Sequence, residues 1–179
     1  MKIFIAALIV IVFAQCADHK VKPKIDLNLE DKNLPSQESW NSKILFTESG
    51  KLKAVLFSYH IEAFENPKEK KLTGVLIDFY NQEGVKASVL TSKRGRVDDI
   101  TQNMFAIDSV VAVNDSAGTK LETSELMWRN TDRKITTEKF VTITTNDEII
   151  EGYGFESDQT LQNYVIHNVT YQTTKPNGN

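Results

Sequence analysis

An all-β domain, an antiparallel sandwich of repeated strand-turn-strand units, is predicted from residue 41 onward by three observations. From Lys43 on, apolar and polar residues alternate with period two in segments rich in Thr, Val and Ile, the pattern of a strand with one buried face. Short polar clusters interrupt these segments: Glu48-Ser49-Gly50, Asn81-Gln82-Glu83-Gly84, residues 114–118, and Asn130-Thr131-Asp132. Asn, Asp, Ser and Gly favour turns because they bond their own backbone or tolerate positive φ. The third observation is a recurrence. Val111-x-Val113, a turn, Leu121-x-Thr123-x-x-Leu126, a turn and Ile135 reappear as Val141-x-Ile143, a turn, Ile150-x-Gly152-x-x-Phe155, a turn and Tyr164, about 29 or 30 residues later.

The N-terminus has a different character. Lys2 is followed by an unbroken apolar run over residues 3–14, then Gln15-Cys16-Ala17 and a polar stretch. A helix of that run would be about 18 Å long, against about 30 Å of hydrocarbon in a bilayer, too short for a permanent span and suited to a cleaved secretion signal. Cys16 is the only cysteine, so an internal disulfide is excluded. Its position just after the apolar run resembles a bacterial lipoprotein signal, which implies that Cys16 becomes the acylated first residue and ties the chain to a membrane. Residues 1–15 are thus expected as signal peptide and 16–40 as a lipidated tether. The tether is charged and interrupted by Pro23 and Pro35, and it has too little apolar surface to offset the entropy of ordering. A first strand at 25–29, where Ile25, Leu27 and Leu29 alternate, is the other reading of that stretch. Residues 175–179 are expected as a disordered tail.

Fainter copies of the repeat precede the clear pair: Ile44-x-Phe46 with Leu52-x-Ala54-x-Leu56, and Ile77-x-Phe79 with Val85-x-Ala87-x-x-Leu90. A unit this small buries only one face of its strands, so neighbouring units must stack or pair, which favours an elongated sandwich over a compact barrel. Leu121 and Leu126 lie five residues apart and would point to opposite faces of a regular strand, so a bend or bulge is expected between them. The best amphipathic helix candidate, 98–105, is short.

Composition narrows the function. A net charge of -3, with 21 basic and 24 acidic residues, does not suit a nucleic-acid partner, which requires neutralising a phosphate backbone. His60 and His167 lack Cys, His or acidic neighbours at ligand spacing, so no metal is expected. The nucleophile-elbow, zinc-protease and phosphate-loop patterns are absent. Gly152-Tyr153-Gly154 opens no helix and reads as a bend, not a dinucleotide site. No catalytic residue and no cofactor are expected. The basic cluster Lys93, Arg94 and Arg96 reads either as a solvated turn or as a contact for lipid phosphates.

The segment from Val111 to Tyr171 resembles the LptC family, the periplasmic component of lipopolysaccharide export in Gram-negative bacteria. The resemblance rests on Leu121-Glu122-Thr123-Ser124-Glu125-Leu126-Met127-Trp128, Val141-Thr142-Ile143, Ile150-Glu151-Gly152-Tyr153-Gly154-Phe155 and Val165-Ile166-His167-Asn168-Val169, in that order and spacing. It implies an open β-jellyroll over 41–174 whose two layers splay around an apolar trough. Lipopolysaccharide from an inner-membrane ABC transporter would lie there and pass to a downstream bridge protein of the same fold. Ile107, Val111, Val113, Val141, Ile143, Phe155 and Val165 are the expected trough lining. The C-terminal strand, with Tyr164, Ile166, Asn168 and Thr170, is the expected docking edge for the next bridge protein, and the first strand, near Ile44, the contact with the transporter. Two other readings stay open: a stand-alone periplasmic lipoprotein that binds another amphiphile or glycan, and a structural surface lipoprotein.

Overall fold

The polar clusters that interrupt the sequence close hairpins. Ser49 and Gly50, both at positive φ (50° and 75°), make a two-residue turn whose twist matches that of the strands it joins. Asn81 Oδ1 accepts from the backbone N–H of Glu83 and Val85, each at 3.0 Å, and Asp98 Oδ1 accepts from Ile100 (2.8 Å) and Thr101 (3.0 Å). The short helix candidate at 98–105 is therefore the end of one strand, an Asp-capped turn and the start of the next. Between these turns run β1 (Gln37–Glu48), β2 (Lys51–Glu65), β3 (Lys68–Tyr80), β4 (Lys86–Asp98), β5 (Met104–Asn114), β6 (Thr119–Arg129), β7 (Lys134–Thr144), β8 (Glu148–Ser157) and β9 (Tyr164–Thr174).

The computed structural model describes residues 34–174. Cys16, the expected signal and most of the expected tether lie outside them, as does the expected tail. β1 starts at Gln37, a few residues before the expected domain boundary. Among the described residues all nine strands belong to one antiparallel sheet in strict sequence order, β1 through β9. It never closes on itself, so β1 and β9 are both edges. The all-β, open jellyroll expectation holds.

One line of interrupted pairing crosses the whole sheet. Asn41, Tyr59, Gly74, Lys93, Asp108, Ser109, Ser124, Glu138, Lys139, Gly154 and His167 lack a partner in the ladders of their strands. Five of them, Asn41, Gly74, Asp108, Ser109 and Gly154, have positive φ, between 50° and 75°. Irregularities of this kind bend a strand and re-aim its side chains. The frame of buried residues shifts across the line: Leu56 is followed by Ile61, Leu72 by Val75, and Leu121 by Leu126. The bend expected between Leu121 and Leu126 is one point on this crease. The crease folds the sheet into two facing layers with one interior. The main core joins Leu121, Val141 and Ile143 from one layer with Leu126, Ile135 and Phe155 from the other.

On the outer surface, Arg129 holds Asp132 through two hydrogen bonds (2.9 and 2.6 Å) and reaches Glu156 at 3.0 Å, and Lys134 also pairs with Glu156. The Arg129 bonds depress Asp132 to about 2 from an ordinary 3.8, and Lys134 followed by Arg129 lowers Glu156. For a carboxylate depressed in the fold, the stabilisation is complete above its unfolded value and is lost as pH falls through the folded one. Thermal stability is accordingly expected to decline between about pH 4 and pH 2. D132N should lower stability at neutral pH and flatten that decline, which melting curves across the range will check. Asp132 is exposed and Glu156 partly so, and water screens both, so the effect is modest.

Candidate functional site

Small residues leave a gap between the layers. Ala54 from one layer, with Gly95 and Ala106 from the other, meet at the β1 to β6 end of the interior, where a cavity of about 90 Å³ remains. Phe46, Ile77, Met104 and Trp128 are among the residues that surround it. The opposite end is closed to solvent among the described residues. There Leu121, Val141, Ile143 and Phe155 are all 0% exposed.

A second, wider space of about 460 Å³ adjoins the cavity, sharing Phe46, Trp128 and Gln159 with it. Its remaining lining is polar and charged: Thr47, Glu48, Lys53, Asn130 and Arg133. This is the mouth of the interior. Glu48 at the end of β1 pairs with Arg133 of the β6–β7 turn at 2.5 Å and lies 3.9 Å from Lys53 of β2. An ion pair therefore bridges the two layers at the mouth. The β8–β9 loop closes the adjoining stretch. Ser88 Oγ donates to Gln159 O at 2.8 Å, Asn114 Nδ2 donates to Thr160 O at 2.6 Å, and Leu161 is buried in the core. The indole N–H of Trp128 is buried with no hydrogen-bond partner among the described residues. Buried donors are nearly always paired, so an unpaired one calls for an explanation.

The seven residues expected to line a trough are dispersed. Val141, Ile143 and Phe155 point into the interior but sit in its packed part, not on the cavity. Ile107, Val111 and Val113 lie on the outer face, correcting the expectation that they point inward. Val111 is in register with Glu122, while its neighbour Ala112 is opposite Leu121 and buried. The buried positions of β5 and β7 correspond at a spacing of 31 residues, Ala106 with Thr137, Val110 with Val141 and Ala112 with Ile143, so the 30-residue spacing that matched Val111 with Val141 puts Val111 out of frame. Val165 is likewise outside, opposite Glu156 and 58% exposed. The cavity residues Phe46, Ile77, Met104 and Trp128 escaped sequence reasoning, although Phe46 and Ile77 belong to the fainter copies of the repeat.

The docking-edge residues are found on an edge. Tyr164 and Ile166 turn inward against the core, with the Tyr164 ring 6.0 Å from that of Phe155, and Asn168 and Thr170 are exposed. Trp40 on the opposite edge is 57% exposed and stacks on His60 at 4.8 Å, while His60 Nε2 meets Glu38 at 2.9 Å. The basic cluster is largely occupied. Arg94 bonds Asp108 at 2.6 Å, and Arg96 lies 3.8 Å from Glu69 and 3.9 Å from the centre of the Phe105 ring. A protein-family model described as lipopolysaccharide-assembly, LptC-related, matches residues 3–174. No curated protein matches the chain.

Proposed function

The chain belongs to the LptC family of lipopolysaccharide-assembly proteins, and from that premise we propose that it is a membrane-anchored carrier that takes lipopolysaccharide from an inner-membrane ABC transporter and passes it to the next bridge protein. The family's role is that of a periplasmic bridge component in lipopolysaccharide transport. The observation that carries the finer reading is an apolar space between two layers of a sheet that never closes. An acyl chain leaving water for such a space gains about 0.8 kcal/mol per methylene, so binding requires no catalytic group. The transporter's ATP hydrolysis supplies direction.

In this reading Cys16 carries the lipid that anchors the chain. A hydrocarbon chain enters at the cavity. A longer one reaches Val141, Ile143 and Phe155, further along the same interior, by parting the layers. β9 offers Tyr164, Ile166, Asn168 and Thr170 to the next bridge protein, and β1 faces the transporter. Each edge strand presents a row of backbone groups unpaired within the sheet, which is what strand addition requires.

Photo-crosslinking tests the trough. A photoreactive side chain at Ile77 or Met104, on the cavity, is expected to give lipopolysaccharide adducts that depend on ATP and the transporter, whereas one at Val111, on the outer face, is expected to give none. Adducts from position 111 equal to those from 77 and 104 would place the lipid outside the sheet and end the proposal.

A further inference from the structure

We propose that the mouth of the interior is a binding site for the phosphate headgroup of an amphiphile whose chain occupies the cavity, with Glu48 as the resident anion that the headgroup displaces. This rests on the carrier reading above and specifies its ligand. Three features of the mouth point to it. Lys53 and Arg133 face a single carboxylate, Glu48, so the charged residues lining the mouth carry one positive charge in excess. The Glu48 contacts are unequal, 2.5 Å to Arg133 and 3.9 Å to Lys53, which leaves the ammonium free to take a second anion. The third feature is the Trp128 indole N–H, buried and without a partner among the described residues, on a side chain that lines both the cavity and the mouth.

The chemistry selects the ligand. A phosphate monoester brings close to two negative charges and three acceptor oxygens, matching two cations and one neutral donor. A carboxylate would offer fewer oxygens than the site has donors. The guanidinium of Arg133 has the fork geometry suited to oxyanions, and Lys53 adds a point charge. Glu48 resembles part of this ligand: while it occupies the site it also links the two layers, because β1 and the β6–β7 turn belong to opposite sides of the interior. A headgroup that captures Arg133 and Lys53 releases that link at the moment a chain needs room to enter.

The test uses the full-length protein with Trp40→Phe, so that Trp128 is the sole tryptophan, titrated below micelle formation with chain-brominated dodecyl phosphate and, separately, chain-brominated dodecyl maltoside. Bromine on the chain quenches Trp128 fluorescence only when it comes close. The phosphate amphiphile is expected to bind roughly tenfold tighter than the neutral one, the gain of charge-assisted hydrogen bonds at a partly wet site. The double change K53Q/R133Q is expected to bring the two affinities to parity. E48Q is expected to act in the opposite sense, tightening dodecyl phosphate several-fold with little effect on the maltoside, an outcome a misfolded variant would not produce.

Equal binding of both amphiphiles by the unaltered mouth would overturn the headgroup site and leave the apolar trough standing. Quenching by neither would overturn both. Inorganic phosphate competing as well as dodecyl phosphate would also overturn the site, since the chain would then contribute nothing.

Discussion

Gly152→Ala is expected to detach the C-terminal strand. A Cβ at position 152 would lie 2.3 Å from the carbonyl oxygen of Asn168, 3.0 Å from its carbonyl carbon and 2.8 Å from Ile166 Cγ2. The first two are backbone atoms and cannot rotate away, so β8 and β9 must separate. Gly152 is opposite Val169 next to a break in register. Overpacking a well-fitted interior costs about 1 to 3 kcal/mol, and here the upper end is expected because the yielding element is an edge strand with one neighbour. Hydrogen exchange should show the β9 amides losing protection while those of β3 to β6 keep it. If β9 is the docking edge, capture of the next bridge protein should fall with it. Unchanged β9 protection in the variant would show that the backbones can absorb the methyl group, and would remove this explanation for the glycine.

Phe155→Ala is expected to give the largest loss of stability from a single truncation. Phe155 is the largest fully buried side chain among the described residues, and it shares the core with Leu121, Val141 and Ile143 from across the interior. Removing a buried aromatic ring costs about 3 to 5 kcal/mol, part transfer and part residual cavity. That is a large share of the roughly 5 to 15 kcal/mol that holds a domain together. Urea unfolding should show a lower midpoint with an unchanged slope. Val111→Ala is the matched control. The sequence pattern groups Val111 with Phe155, but β5 turns it outward, so its truncation should cost well under half as much. Equal losses would refute the assignment of faces.

These contrasts show what could be read from residues. The turn clusters are turns because Asn81 and the Ser49-Gly50 pair act locally, through bonds to neighbouring backbone or through permissive φ. The bend between Leu121 and Leu126 was legible because two buried leucines five apart cannot share a face of a regular strand. The face of β5 was not legible. Val110, Val111, Ala112 and Val113 are apolar in succession, so period two has nothing to choose between, and a 30-residue match to Val141 falls one residue short of the 31-residue correspondence of the buried positions. Asn114, polar yet 1% exposed, follows the buried frame because its amide both holds its own turn and reaches Thr160. Leu161 is a core residue in a loop, at a φ of 58°, with no periodic neighbours to announce it. The mouth was also beyond sequence reasoning. Glu48 and Arg133 are far apart along the chain, and only the folding of the sheet along its crease brings them together.

Strict sequence order of the strands also bears on how the molecule is built. No strand needs a hydrogen-bonded partner from a distant part of the chain, so each hairpin can seal once its second arm exists, and loop-closure costs remain small throughout. A nascent polypeptide emerging N-terminus first can zip up arm by arm, with no early segment kept waiting for a late one. The β8–β9 loop is an exception, for it arrives almost last, and there Leu161 plugs an interior laid down long before while the Gln159 and Thr160 carbonyls meet Ser88 and Asn114.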